Sequence, residues 1–126
     1  MIYCKKSSRT PEEVDSRLRE AAQRHKFGVL NVLDLKSTLQ SKGIDFQNDC
    51  RVYDVCNPQA ASQALGANLS ASAVLPCRIS VFHDASGTTI ATVKPIDLLK
   101  STGLSGVDDL AAQVEREIVA IIDESA

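Results

Sequence analysis

The sequence has no tryptophan, one methionine and only 4% aromatic residues. A core must therefore be built from aliphatic side chains and alanine, and platforms on which nucleic-acid bases could stack are scarce. Neither charge sign is in large excess: 14 basic residues stand against 16 acidic ones, a formal net charge of −2. No basic surplus argues for nucleic acid or for an anionic membrane surface. The nearest approach to a basic cluster, Lys5, Lys6 and Arg9, reads as a solvated face. No apolar run approaches the roughly 20 residues that span a bilayer. Met1 leads straight into a strand-like MIYC with no signal peptide, so the cytoplasm is the expected location.

Four cysteines are present, Cys4, Cys50, Cys56 and Cys77, and none forms a CxxC pair. Zinc-ribbon and thioredoxin-type sites are disfavoured, no metal or cofactor is expected, and in a reducing compartment the four stay thiols. No glycine-rich phosphate loop follows any strand. Paired carboxylates fall at helix caps or on solvated faces, so acid–base catalysis is not indicated. The expectation is of a non-enzymatic or accessory protein.

What is there fits one domain over residues 1–126, with 44% hydrophobic and 24% charged residues. Met1–Ser8 reads as an edge strand, its lysines discouraging further pairing. Thr10-Pro11-Glu12-Glu13 is a capping box that opens a helix to about His25, with Val14, Leu18, Ala21 and Ala22 as the apolar stripe. His25 is expected as an exposed helix-end residue, and Gly28 as the turn. Phe27–Leu33 is apolar on both parities apart from Asn31, which suggests a strand covered on both sides, or on one side by a partner. Asp34 can cap a helix over Leu35–Lys42, closed by Gly43, and Ile44–Asp49 is a polar connector.

Cys50–Cys56 reads as a central strand. It hands over at Asn57-Pro58, an N-cap followed by proline at the first helical position, to an alanine-rich helix over Pro58–Leu65. Ala67–Pro76 reads as a loop. Cys77–Asp84 and Thr88–Lys94 form a hairpin about Ala85-Ser86-Gly87. Pro95–Lys100 is a short helix. The last helix begins near Val107–Asp109, with Leu110, Val114, Ile118 and Ile121 or Ile122 on one face. Asp123 and Glu124 stand at its negative end, where they should fray the last turn. This order gives an α+β fold in two layers, a mostly antiparallel sheet covered on one face by helices.

The stretches FGVLNVLDLKSTLQSKG (Phe27–Gly43), VCNPQAASQAL (Val55–Leu65) and LPCRISVF (Leu75–Phe82) together resemble the domain-of-unknown-function family 302, small bacterial and archaeal proteins. The resemblance covers nearly the whole chain. It implies a TATA-binding-protein-like architecture, often as a homodimer. It supplies no activity. That some members are encoded among sulfur-metabolism genes raises interest in thiol chemistry and a sulfur-carrier partner.

The candidate site follows from Cys56 and Cys77. If their strands are antiparallel neighbours, both thiols lie at one sheet edge, with Asn57 and Arg78 beside them. A thiolate there could carry a persulfide, bind a soft metal or switch by disulfide formation. Alternatively the cysteines are small buried residues, Asn57 a cap, and Arg78 an ion-pair partner of Asp54 or Asp84. His83 lies roughly 20 Å from Cys77 along its strand, too far to serve as its base. Cys4 and Cys50 are expected to pack. The rival functions are a small-ligand module with the cysteines as cavity lining, and a partner-binding domain that uses the open sheet face.

Overall fold

A computed structural model describes all residues from Met1 to Ala126. Five strands form one sheet in the order β1-β5-β4-β3-β2. They are β1 (Ile2–Ser7), β2 (Gly28–Asp34), β3 (Cys50–Cys56), β4 (Cys77–Asp84) and β5 (Gly87–Val93). Every neighbouring pair is antiparallel. The helices are α1 (Pro11–Arg24), α2 (Leu35–Ser41), α3 (Pro58–Ala67), α4 (Pro95–Thr102) and α5 (Asp108–Ser125). The chain is α+β, as its patterning predicts.

The helices form where the sequence marks them. The Thr10 hydroxyl accepts from Glu13 N–H and the Glu13 carboxylate accepts from Thr10 N–H, a complete capping box. Asp34 accepts from Ser37 N–H to open α2. Side chains one face deep then make the core. Tyr53 and Val55 of β3, Ile79 and Val81 of β4 and Ile90 of β5 alternate inward. They meet Val14, Leu18, Ala21 and Ala22 of α1, Phe27 just before β2, and Ile118, Ile121 and Ile122 of α5 in one cluster of 13 buried residues. The opposite sheet face carries no helix of this layer.

Several expectations are corrected. The middle strand is β4, and β3 is its neighbour. β2 is an edge strand, with Leu30 and Leu33 exposed and a bulge between Val29 and Asn31, so its apolar run is not buried on both sides within this chain. α3 continues through Gly66 to Ala67, and the segment read as a loop contains a 3-10 helix over Leu69–Val74. The turn after α1 is made by Lys26 at φ 63°, not by Gly28. Lys26 N–H donates to Gln23 and Phe27 N–H to Ala22, the bonds of a Schellman ending.

His25 is not an exposed end residue. It is half-buried between Glu117 and Glu124 of α5, one ring nitrogen on each carboxylate. The last turn of α5 is anchored for the same reason. Glu124 also takes Arg24, Asp123 accepts the Tyr3 hydroxyl, and Ser125 is fully buried. Unfavourable charge at the helix end is answered by partners from α1 and β1, which sequence position alone does not reveal.

Candidate functional site

β3 and β4 are antiparallel, so the end of one meets the start of the other. Cys77 pairs with Val55, and Asp54 with Arg78. Cys56, one residue beyond Val55, pairs with Gly28 on the other side. The two cysteines therefore share one end of the sheet, but the pleat sets them on opposite faces. Both are free thiols.

These residues border a cavity of about 310 Å³. Its floor is the end of the sheet: Val55, Cys56, Cys77, Thr92 and Val93. Its walls are Ala60, Ala61 and Ala64 of α3, the 3-10 segment with Leu75 and Pro76, Leu98 and Leu99 of α4, and Leu110, Ala111 and Val114 of α5. Of 22 lining residues 17 are hydrophobic. The apolar stripe of α5 thus does two jobs: its second half packs on the sheet and its first half walls the cavity.

The electrostatics do not produce a thiolate. Burial pushes the Cys77 thiol up to about 11, and the neighbouring Cys56 adds to the shift. Burial also raises the Cys56 thiol. Both move away from the direction a reactive cysteine needs at neutral pH. The N-terminus of α3 is already used by Asn57, whose side-chain oxygen accepts from Ala60 N–H at 3.1 Å. Arg78 faces Asp54 at 3.6 Å with its side chain 77% exposed.

The other sequence candidates lie elsewhere. His83 bonds Thr88 at the far end of β4. Cys50 is half-buried, and its thiol is raised by burial and by Asp49 and Asp34. Cys4, expected to pack, is exposed on the edge strand. No group of three His, Cys, Asp or Glu side chains is placed to hold a metal ion. No helix is long and apolar enough to cross a membrane.

Sequence reasoning offered such a cavity, lined by the cysteines, as a rival reading, but not its walls of α4, α5 and the 3-10 segment. The cavity's signals were present as alanine density in α3 and in Ala71 and Ala73, but small residues also mark close helix packing.

The fold and its largely apolar pocket define a class: small α+β proteins with a single antiparallel sheet, helices on one face and an apolar cavity at one sheet end. The model of the family described as "Domain of unknown function DUF302" matches residues 3–125, and the chain belongs to that family. A solved relative is the uncharacterized conserved protein DUF302 from Bacillus stearothermophilus. It is 31% identical, with a TM-score of 0.94 over 99% of this chain and 98% of the other. No curated protein matches.

Proposed function

We propose that this protein is a binding module for a small apolar molecule, held in the cavity between the sheet end, α3, α4 and the first half of α5. The observation that carries this reading is the cavity of about 310 Å³ with 17 hydrophobic residues among 22. Small-molecule sites begin at about that volume and share that lining. Cys56 and Cys77 are then wall, and Asn57 is the cap of α3. Sulfur or metal handling and redox sensing at Cys56, Cys77, Asn57 and Arg78 form the weaker reading, because both thiols are shifted towards the neutral form. No nucleophile–base pair supports an enzyme activity. Four unpaired cysteines suit a reducing, cytoplasmic setting.

The test is an amide chemical-shift titration with a panel of small apolar probes, cationic, anionic and neutral. Shifts centred on Ala60–Ala64, Leu98 and Leu110–Val114 are expected with at least one of them. A panel that moves none of these amides sinks the reading.

A second reading concerns assembly. Ile2, Leu33 and Val93 are exposed on the sheet face opposite the helices, and a second copy of the chain covering that face would form a homodimer.

A further inference from the structure

We infer that the cavity takes an uncharged, aliphatic ligand. This rests on the binding-module reading and adds the ligand's chemical class.

The charge argument comes first. The chain carries 16 acidic and 14 basic residues, yet no carboxylate and no lysine line the cavity. Arg78 is the one charged residue of the wall. Its guanidinium is engaged with a carboxylate, and its side chain is 77% exposed. It stands on the sheet face of its cross-strand partner Asp54, 3.6 Å away, while its neighbours Cys77 and Ile79 take the helix-covered face. The Arg78 carbonyl is also taken: the Thr92 hydroxyl donates to it at 2.7 Å. A cation entering this space would find no counter-charge, and an anion only a guanidinium already paired with Asp54.

Of the remaining polar side chains, thiols aside, only the Asn57 amide nitrogen has no partner within the chain, and it is a neutral donor. The Asn57 side-chain oxygen serves the α3 cap. The thiols stay protonated, since burial raises both, and a neutral S–H is a weak donor. A single hydroxyl or carbonyl on the ligand can be tolerated at such groups; a phosphate, a carboxylate or an ammonium cannot.

The shape argument follows. Six wall residues are alanines, and the volume exists because their side chains stop at Cβ. Phe27 is the single aromatic residue in the lining. A flat base or dye would find one ring to stack on, whereas aliphatic contact is available from α3, α4 and α5 together.

The experiment compares octan-1-ol, octanoate and octylammonium, one aliphatic body with three head-group charges, near neutral pH on the intact protein by amide chemical shifts. Octan-1-ol is expected to bind with shifts at Ala60–Ala64 and Leu98–Leu110, and each ion at least about tenfold more weakly. Octanoate or octylammonium binding as tightly as the alcohol, at those amides, overturns the inference and leaves the binding module standing. Absence of shifts with all three overturns the module as well. Ala64→Leu, which puts a larger side chain into the space, is expected to abolish octan-1-ol binding; unchanged affinity in a folded Ala64→Leu protein places the ligand elsewhere and overturns the assignment. The head-group comparison needs no variant, so it stands even if that protein does not fold.

Discussion

At the scale of single residues, two neighbours at the end of α1 do work their residue types do not advertise. Lys26 adopts φ 63° in the left-handed region, a conformation that costs a non-glycine residue about 1–2 kcal/mol. Glycine removes that strain but adds freedom to the unfolded chain. Lys26→Gly is therefore expected to stabilise the protein by about 0.5–1 kcal/mol in urea unfolding; a loss of stability would mean that the lysine side chain contributes something its backbone does not explain. His25 donates from both ring nitrogens to Glu124 and Glu117 when protonated. The bond to Glu124 raises its pKa most, and Glu117 adds to this against an opposing push from burial. Glu124 is lowered in return, by His25 first and Arg24 second. The signs follow. The His25 contribution is fully present below the unfolded value of about 6.5 and is lost as pH rises through the raised folded value. The Glu124 contribution is present above its ordinary value and is lost as pH falls through its lowered folded value. His25→Gln should thus lower Tm more at about pH 6 than at about pH 9. An equal decrement at both would show that the pair contributes no charge-dependent stability.

At the scale of elements, the caps were the most legible part of the chain because their chemistry is local. Thr10, Asp34 and Asn57 each accept from the third residue on, and the sequence names all three with no tertiary information. Thr10→Ala and Asn57→Ala should each cost about 1 kcal/mol in urea unfolding. For Asn57 this also separates cap from chemistry. A Ser replacement keeps a capping oxygen and should recover most of the loss, whereas a role for the amide in ligand contact would leave Asn57→Ser as poor a binder as Asn57→Ala. The stripe of α1 and the alternation of β3, β4 and β5 were legible for a similar reason: period alone identifies their inward faces. What was not legible depended on distant partners. Asp123 and Glu124 look destabilising at the end of α5 until Tyr3, Arg24 and His25 are brought to them from 99 or more positions away. The apolar run of β2 carries no signal that distinguishes an uncovered edge from a doubly covered interior strand. Its order in the sheet decides that.

At the scale of the whole molecule, one face of the sheet is closed by helices and the other lies open. The site was legible in part: antiparallel pairing of β3 and β4 was stated as its condition, and that condition is met. The pleat that separates the two thiols depends on a register of one residue, which no pattern in Cys50–Cys56 specifies. The open face has its own consequence. Leu33 stands opposite Val52, which stands opposite Ser80, with Phe82 and Cys50 as the next pair and Ala91 opposite Cys4 beyond. Leu33 is 41% exposed, and Ile2 and Val93 at the other edge are 61% and 40% exposed. The Asp54–Arg78 ion pair lies on this face between the two apolar edges, so the surface is mixed, apolar at its edges and charged between them, as interfaces between soluble partners commonly are. A two-fold partner would bury the same residues twice, with each copy supplying an identical patch. Sedimentation at increasing protein concentration should therefore give a dimer, and Leu33→Asp, which sets an unpaired charge in that interface, should shift it to monomer while leaving the folded spectrum intact. Leu33 faces away from the cavity, so the same variant should still bind octan-1-ol. A wild-type protein that stays monomeric throughout the range would leave the sheet face a solvated surface, and loss of the alcohol site in Leu33→Asp would mean that face and cavity are coupled through the sheet.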